Sequence, residues 1–191
     1  MIALDEHSSL TYWENFLSPD AATDLQHFCS AELPWLQSTI KMFGKPVTIP
    51  RQNAWFGSEP YSYSGTRFAA QPMPLPIETL RQAVEQVTLE TFNSVLANRY
   101  RDGHDCMGWH SDDERSLGNR PQIASVSLGE GRRFLLRNKN DHQQKRELLL
   151  AHGSLLMMRG ACQSQWQHSL PKMRRVKKQR INLTFRRSVQ L

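Results

Sequence analysis

The sequence has few cysteines and no long apolar run. Only three of its 191 residues are cysteine, at Cys29, Cys106 and Cys162, and none of them forms a CxxC pair. Three thiols cannot all pair within one chain, so we expect a reducing compartment rather than a disulfide-rich secreted fold. No stretch approaches the roughly 20 consecutive apolar residues of a membrane-spanning helix. The N-terminal segment lacks the basic start and apolar run of a signal peptide, which predicts an intracellular protein without a membrane partner.

Acidic residues are absent from the C-terminal end of the chain. Residues 151–191 contain nine Lys or Arg side chains and no Asp or Glu. The formal net charge of +6 arises entirely from this end, because residues 1–150 carry 15 bases against 18 acids. A basic segment of this kind is either a solvated surface or a contact for a polyanion such as nucleic acid.

The length and composition predict one globular domain that begins with helices. At 191 residues and 39% hydrophobic content, the chain can build one core and is too short for two ordinary domains. Ser18, Pro19 and Asp20 provide the N-cap, first-turn proline and early acid of a helix over residues 21–32. Apolar residues at helical spacing predict a second helix from residue 77 to about residue 90.

After Phe92 the pattern changes to short apolar runs separated by turn residues. This spacing is typical of a β-sandwich or barrel. We therefore predict an α+β chain that is mainly β, with N-terminal helices supporting an antiparallel core of jelly-roll character. The expected strands cover residues 95–100, 123–128, 133–136, 148–151, 155–158 and 181–185.

Two histidines and one carboxylate carry the expected chemistry. In an extended segment, residues i and i+2 point to the same face, so His110 and Asp112 can bind one metal ion together. Such a pair alone is more often a polar loop. His168 changes this interpretation, because two His and one carboxylate form the facial triad that holds non-haem Fe(II).

The last predicted strand has a polar face and an apolar face. An edge strand with its polar face in water is one interpretation. A binding face is the other, because two arginines extended inward can flank a dicarboxylate and hydrogen-bond with it. Arg187 has the opposite parity and is expected at the surface. The residues of the polar face are Arg180, Asn182, Thr184 and Arg186.

Six ordered motifs together resemble the AlkB family of iron- and 2-oxoglutarate-dependent dioxygenases. The resemblance spans most of residues 42–187 and is greatest for the DNA dealkylases related to human AlkB homologues 2 and 3. The motifs are Asn98-Arg-Tyr100, Gly108-Trp-His-Ser-Asp-Asp-Glu114, Ile123-Ala-Ser-Val-Ser-Leu-Gly129, Ala151-His-Gly-Ser-Leu-Leu-Met-Met158, Trp166-Gln-His-Ser-Leu-Pro171 and the segment from Arg180 to Arg186.

The resemblance implies a fold and a set of cofactors. A double-stranded β-helix (jelly-roll) core is expected in residues 92–191. N-terminal helices and a β-hairpin lid for nucleotide recognition are expected in residues 1–91 of the same domain. Fe(II) is the implied metal, bound by His110, Asp112 and His168, and 2-oxoglutarate and O2 are the implied cosubstrates. Arg180 is expected to bind the distal carboxylate of 2-oxoglutarate, and Arg186 is expected near the carboxylate that chelates iron. Further contacts with 2-oxoglutarate are expected from Asn98, Tyr100, Asn182 and Thr184.

The same resemblance implies a nucleic-acid surface. Tyr61, Tyr63 and Ser64 match the segment that lines the family's base pocket, although Tyr63 stands where a Phe is familiar. Ordinary cross-strand packing in a hairpin is the alternative for the two tyrosines. For Phe43 the alternative is a core position, and for Asp113 and Glu114 it is a solvated acidic turn. The remaining expected contacts are a hydrophobic finger at Phe43, Gly44 and Lys45, base-facing carboxylates at Asp113 and Glu114, and phosphate contacts at Arg51, Arg174 and Arg175.

The implied activity is oxidative removal of alkyl groups from N1-methyladenine and N3-methylcytosine in single- or double-stranded DNA, with etheno adducts as further candidates. The alkyl group leaves as an aldehyde, and 2-oxoglutarate becomes succinate and CO2. The same chemistry on RNA, tRNA or a non-nucleic-acid substrate is one alternative. A non-catalytic module that binds damaged strands is another, although such a module does not need the full metal and arginine set. We expect a monomer, located in the cytoplasm (nucleoid) of a bacterium or in the nucleus of a eukaryote.

Overall fold

A computed structural model describes residues 1–42, 45–63 and 66–189, with the backbone alone at residues 40–42, 61–63, 66 and 67. Its helices are Pro19–Glu32 (α1), Leu75–Thr88 (α2) and Cys162–Gln165 (α3), and a 3-10 turn covers Arg115–Leu117. No helix in these ranges is long and apolar enough to cross a membrane. The strands are β1 (Ile2–Ala3), β2 (Ser8–Trp13), β3 (Thr39–Met42), β4 (Lys45–Thr48), β5 (Gln52–Gly57), β6 (Tyr61–Tyr63), β7 (Thr66–Phe68), β8 (Ser94–Tyr100), β9 (Met107–His110), β10 (Ile123–Gly129), β11 (Arg132–Asn138), β12 (Lys145–Leu150), β13 (Ser154–Gly160), β14 (Trp166–Leu170) and β15 (Arg180–Arg186).

The strands form two larger sheets and two hairpins. The major sheet has seven strands in the order β1-β2-β13-β10-β15-β8-β5, and the minor sheet has four in the order β12-β11-β14-β9. The hairpins β3–β4 and β6–β7 lie between α1 and α2 along the chain. All strand pairs within the described ranges are antiparallel. The prediction of a mainly β chain with an antiparallel core is confirmed.

Each of the predicted strands overlaps an observed one, but other strands were not predicted. β8, β10, β11, β12, β13 and β15 coincide with the expected segments, whereas β1, β2, β9 and β14 do not. β2 pairs with β13, and Leu10 lies opposite Met158. Because this partner lies near the other end of the chain, no local pattern indicates the pairing. Strands from both sides of residue 92 therefore share the major sheet.

The major sheet buries apolar residues on both faces. On one face α1 and α2 pack against the sheet, and Ile77 and Val84 share a cluster with Leu183 and Phe185. On the other face a second cluster joins the major sheet to the minor sheet through residues such as Trp166. Since successive strand residues alternate between faces, the apolar residues of β15 meet the helices. Its polar residues are left to face the space between the sheets.

The starts and ends of the two long helices follow local chemistry. The side chain of Ser18 accepts a hydrogen bond from the backbone N–H of Ala21 at 3.3 Å, and Pro19 occupies the first turn, as the sequence predicts. α2 begins at Leu75, two residues earlier than predicted, because a proline is tolerated in the first turn. It ends with Leu89 in the left-handed region at φ 59°, whose N–H donates to the carbonyl of Glu85.

A close backbone contact fixes the basic segment after β14. The N–H of Met173 donates to the carbonyl of Gly103 at 2.8 Å, and the N–H of Gly103 donates to the carbonyl of Val176 at 3.0 Å. Gly103 is required here, because a Cβ at this position would lie 1.8 Å from the carbonyl oxygen of Met173. Beside this contact Arg132, with 0% of its surface exposed, donates to the backbone carbonyls of Asp102, Asp105 and Pro171.

The first prediction concerns Gly103. Replacing Gly103 by Ala should lower the free energy of unfolding by about 1–3 kcal/mol, the usual effect of overpacking a filled site, because backbone atoms must move. Urea denaturation followed by circular dichroism measures this loss. Gly108→Ala is the matched control, because a Cβ at Gly108 meets nothing within 4 Å. Equal stability of the two variants would contradict the proposed close packing.

Candidate active site

A cavity between the two sheets brings together most of the predicted metal and cosubstrate residues. The polar face of β15 forms one wall, and β8, β9 and β14 contribute the others. Apolar side chains such as Phe134 and Met158 complete the lining and limit the access of water. The polar lining residues are Asn98, Tyr100, His110, Asp112, Ser125, His168, Ser169, Arg180, Asn182, Thr184 and Arg186.

His110, Asp112 and His168 form a compact group of metal-binding side chains. One ligand atom from each residue lies within 4.8 Å of the others. The pairing of β9 with β14 sets His110 directly opposite His168, and their ring centroids lie 4.2 Å apart. Asp112 follows β9 two residues after His110, as the i, i+2 argument requires. Two imidazoles and one carboxylate on one side of a site match the facial arrangement that holds Fe(II).

Neighbouring groups orient the ligands. Nδ1 of His110 lies 2.9 Å from the carbonyl oxygen of Gly108, so a proton on Nδ1 is donated there and Nε2 remains for a metal. The fully buried side chain of Gln163 accepts a hydrogen bond from the backbone N–H of Asp112 at 2.9 Å. The hydroxyl of Ser111 donates to the carbonyl of Trp166 at 2.8 Å. These contacts fix the segment that carries two of the three ligands.

The protonation states of the group suit a divalent cation. Burial lowers the pKa of His168 to about 3, and burial also lowers the pKa of His110. Both imidazoles are therefore neutral near pH 7, as metal ligands must be. Burial alone would raise the pKa of Asp112, but the guanidinium of Arg186 holds it below its usual value. The site thus presents two neutral nitrogens and one carboxylate.

Arg186 contacts Asp112 itself. Its guanidinium donates to Oδ1 of Asp112 at 2.6 Å, and both side chains are buried. Arg186 therefore lies at the predicted metal site, paired with a ligand carboxylate of the protein. The edge-strand interpretation is wrong, because β15 lies between β10 and β8 and all of its residues are buried. Arg187 is exposed, as its parity predicts.

Arg180 is a buried cation without an anionic partner among the described residues. Only 2% of its surface is exposed, and it donates to the hydroxyl of Ser127 at 2.9 Å. Within the described ranges no carboxylate pairs with Arg180, and its Nε makes no hydrogen bond. Burial lowers the pKa of Arg180 to about 10. A bound carboxylate would satisfy this guanidinium, so the cavity fits a dicarboxylate such as 2-oxoglutarate.

Hydrogen bonds connect the other polar residues of the cavity to the neighbouring strands. Asn182 donates from Nδ2 to the hydroxyl of Ser125 at 2.6 Å, and the hydroxyl of Thr184 donates to Oδ1 of Asn182 at 2.9 Å. The ring of Tyr100 lies 5.4 Å from the guanidinium carbon of Arg180. Sequence reasoning missed Ser125, Ser127 and Gln163. The two serines, at i and i+2 of an apolar strand, were a detectable signal of a polar face.

Several predicted substrate contacts lie outside the described residues or at the surface. Phe43, Gly44 and Ser64 lie outside the described residues. Tyr61 and Tyr63 belong to β6, where Tyr61 pairs with Phe68 and Tyr63 with Thr66. The exposed residues among the predicted contacts are Lys45 on β4, Arg174 and Arg175 in the segment after β14, and Asp113. The carboxylate of Asp113 pairs with Nζ of Lys139 at 3.1 Å. Glu114 is half-buried.

The structure places Arg51 differently from the prediction. Arg51 is only 4% exposed, and its Nε donates to Oδ1 of Asn98 at 3.1 Å. A phosphate on the outside of the protein needs an accessible cation, so this position does not suit the predicted phosphate contact. The local pattern does not indicate this burial, because a lone arginine after a proline carries no signal of it.

Comparison with known proteins decides the family. The family model described as the 2OG-Fe(II) oxygenase superfamily matches residues 9–186. This chain belongs to the 2OG-Fe(II) oxygenase superfamily. Its metal is Fe(II), and 2-oxoglutarate and O2 are its cosubstrates, in agreement with the prediction.

Similar curated proteins confirm the resemblance to the AlkB family. Alpha-ketoglutarate-dependent dioxygenase alkB homolog 3 of Mus musculus is 41% identical over 171 residues, which cover 85% of this chain and 59% of the mouse protein. DNA oxidative demethylase ALKBH2 of Mus musculus is 44% identical over 158 residues, covering 78% of this chain and 66% of that protein. ALKBH2 of Arabidopsis thaliana is 34% identical, covering 97% of this chain and 68% of the plant protein. The chain thus spans less than two thirds of the two mouse relatives.

A solved structure agrees with the predicted architecture. The structure of OsALKBH1 superposes with a TM-score of 0.68 at 17% sequence identity, covering 93% of this chain and 97% of that chain. At this identity the likeness concerns the fold alone. Together with the two antiparallel sheets, it confirms the predicted jelly-roll core.

The second prediction concerns the buried ion pair. Asp112→Ala should lower the free energy of unfolding of the metal-free protein by about 3–5 kcal/mol, because Arg186 is left buried without a counter-charge. The double variant Asp112→Ala/Arg186→Met should recover much of this loss, because it removes both charges. Chemical denaturation of the three proteins measures the effect.

Arg133→Ala is the control for this experiment. It breaks the ion pair of Arg133 with Glu147, in which both side chains are about half exposed. Such exposed pairs contribute little to stability. An Asp112→Ala protein as stable as Arg133→Ala, or a double variant less stable than the single one, would refute the stated role of the pair.

Proposed function

We propose that this chain is an Fe(II)- and 2-oxoglutarate-dependent DNA repair dioxygenase. Its substrates are N1-methyladenine and N3-methylcytosine in DNA, with etheno adducts as further substrates. One observation carries the proposal: the group of His110, Asp112 and His168 shares its cavity with Arg180, a buried cation that needs an anion. The name DNA oxidative demethylase, given to relatives 34–44% identical to this chain, supports the choice of DNA.

Each residue of the metal group has a distinct task. His110 and His168 donate neutral imidazole nitrogens, and Asp112 supplies the negative charge while Arg186 holds its Oδ1. Fe(II) held by these three residues would supply the activation of O2 for hydroxylation of an alkyl carbon, coupled to conversion of 2-oxoglutarate to succinate and CO2. The hydroxylated alkyl group then leaves the base as an aldehyde. Because Gln163 holds the backbone of Asp112, the ligand set is oriented before any ion binds.

The polar face of β15 and the neighbouring strand β8 bind and orient the cosubstrate. Arg180 pairs with the distal carboxylate of 2-oxoglutarate, which satisfies the cation inside the protein. Asn98, Tyr100, Asn182 and Thr184 contribute neutral polar contacts around it, and all four line the same cavity. The apolar lining keeps bulk water away from the reacting groups, which strengthens each of these electrostatic contacts.

A basic loop holds the nucleic acid by its phosphates. The loop follows β14, and its five cations, Lys172, Arg174, Arg175, Lys177 and Lys178, are all exposed. Binding of this kind positions a strand without reading its sequence. Tyr61, Tyr63 and Ser64 line the pocket for the flipped base, where stacking on aromatic rings replaces stacking on the neighbouring bases of the helix. Phe43, Gly44 and Lys45 form the finger that enters the base stack, and Asp113 and Glu114 face the cationic base.

The remaining proposals concern organisation. Residues 1–191 form one domain, because β2 and β5 complete the same sheet as β8 and β15. We propose that this domain acts as a monomer. Residues 1–91 contribute the helices and the lid hairpins, and residues 92–191 contribute the catalytic core. The protein acts where its DNA substrate is found, in the nucleoid or in the nucleus. RNA is the alternative substrate, because phosphate contacts do not distinguish it from DNA.

The third prediction is the activity itself. Protein loaded anaerobically with Fe(II) should remove the methyl group from a single-stranded oligonucleotide that carries one N1-methyladenine, once 2-oxoglutarate and O2 are added. Mass spectrometry should show loss of the methyl mass together with stoichiometric succinate. His168→Ala should abolish both products because it removes a metal ligand, and His142→Ala, which changes an exposed histidine, should retain both.

The outcomes separate the candidate functions. Succinate without demethylation would exclude this DNA lesion as the substrate and direct the assay to methylated RNA. Neither product from folded, iron-loaded protein that still binds the oligonucleotide would favour the non-catalytic binding module. Demethylation that survives His168→Ala would refute the proposed metal site.

The fourth prediction concerns the basic loop. Arg174→Ala/Arg175→Ala should weaken binding of single-stranded DNA and reduce the slope of log affinity against log salt by about 0.7 for each phosphate that is no longer neutralised. Fluorescence anisotropy between 50 and 200 mM salt (about the range over which the effect is large) measures the slope. Arg146→Ala, which removes an exposed cation on β12, is the control. An unchanged slope in the double variant would contradict phosphate binding by this loop.

A further inference from the structure

The carboxamide of Asn98 is held on its oxygen side by two donors. Nε of Arg51 donates to Oδ1 of Asn98 at 3.1 Å, and Nδ2 of Asn53 donates to the same oxygen at 2.7 Å. All three side chains are buried, with exposures of 4%, 2% and 4% for Arg51, Asn53 and Asn98. Asn98 lines the cavity of the candidate active site, whereas Arg51 and Asn53 do not. The two donors therefore hold Asn98 from behind the cavity wall.

This arrangement determines which way the amide points. A guanidinium can only donate hydrogen bonds, so the atom of Asn98 that faces Arg51 must be the oxygen. Nδ2 of Asn98 is then turned away from Arg51 and Asn53, and it makes no hydrogen bond with any side chain or backbone group in the described ranges. Asn98 thus has two N–H donors available for a ligand.

The orientation matters because the cosubstrate is an anion. The carboxylate and keto oxygens of 2-oxoglutarate only accept hydrogen bonds, so an N–H of Asn98 attracts them. The reversed amide would present an oxygen to the same groups and repel them. A hydroxyl such as that of Thr184 can rotate to donate, but an amide must be held in one orientation.

We propose that Asn53, assisted by Arg51, is a positioning residue that holds the amide of Asn98 with its N–H donors towards 2-oxoglutarate. This inference rests on the proposed function. Register supports it, because β5 and β8 pair with Asn53 directly opposite Asn98, and opposite residues of an antiparallel pair share one face. The positive charge of Arg51 strengthens its own hydrogen bond to Oδ1.

The test reverses the hydrogen-bonding capacity of residue 53. Asn53→Asp replaces the donor by an acceptor, which repels Oδ1 of Asn98 and draws its N–H group away from the cavity. Asn53→Ala only removes the donor, and Arg51 remains. Gln52→Glu is the matched control, because it makes the same amide-to-acid change at the adjacent, partly exposed residue on the opposite face of β5.

Binding of 2-oxoglutarate is measured by calorimetry on Mn(II)-loaded protein, where no turnover occurs. We expect Asn53→Asp to raise the Kd for 2-oxoglutarate about tenfold, which corresponds to about 1.4 kcal/mol. Asn53→Ala should raise it about threefold, and Gln52→Glu should leave it unchanged. The Kd for Mn(II) should be the same in all four proteins, because the metal ligands are untouched. In turnover, the KM for 2-oxoglutarate should rise while the KM for the oligonucleotide stays constant.

The order of effects separates positioning from general destabilisation. A merely structural role would weaken Mn(II), 2-oxoglutarate and oligonucleotide binding together, in proportion to the fall in melting temperature, and would overturn the inference. Asn53→Asp and Asn53→Ala proteins that bind 2-oxoglutarate as tightly as the wild type would also overturn it, while leaving the proposed function intact. Wild-type protein that binds Mn(II) but not 2-oxoglutarate would overturn both.

Discussion

The buried ion pair between Arg186 and Asp112 joins the two sheets at the predicted metal group. Arg186 ends β15, an interior strand of the major sheet, and Asp112 follows β9 at the edge of the minor sheet. Neither charge is stable in this position alone, because desolvation of an isolated ion is unfavourable by several kcal/mol. The pair lets a carboxylate stay ionised inside the protein. A facial triad for Fe(II) needs such an ionised carboxylate beside its two neutral histidines.

An excess of positive charge in the interior explains why the site needs an anion. Arg180, Arg186 and Arg132 are all buried, and of these only Arg186 pairs with a carboxylate in the described part of the chain. Arg132 is satisfied by three backbone carbonyls instead. Within the ranges that the structure describes, Arg180 donates to the hydroxyl of Ser127, and its Nε makes no hydrogen bond. A divalent cation at Asp112 adds further positive charge, so a dicarboxylate completes the balance that the fold leaves open.

The residues of this site could be predicted where local spacing carries the information. The i, i+2 pair of His110 and Asp112 and the alternation along β15 each determine which side chains share a face, and the structure agrees with both. Partners brought together from distant strands could not be predicted. Arg51 and Asn53 reach Asn98 through the pairing of β5 with β8, and Gln163 on α3 reaches the loop that carries Asp112. No short pattern in the sequence records either contact. Burial of Arg51 follows from those pairings alone.

One short segment after β8 connects the proposed nucleic-acid surface to the catalytic cavity. Arg101 donates to Gln37, and Gln37 in turn donates to the carbonyls of Ile49 and Arg51 at the base of the β3–β4 hairpin. Two residues later Gly103 holds the basic loop by backbone hydrogen bonds. The segment itself continues directly from β8, which carries Asn98 and Tyr100 into the cavity. Because hydrogen bonds hold both ends of this segment, a strand bound as proposed by the hairpin and the basic loop would lie at a defined distance from the metal group. In the proposed function, these hydrogen bonds therefore set the geometry for delivering one base to the cavity, and the exposed cations supply only attraction.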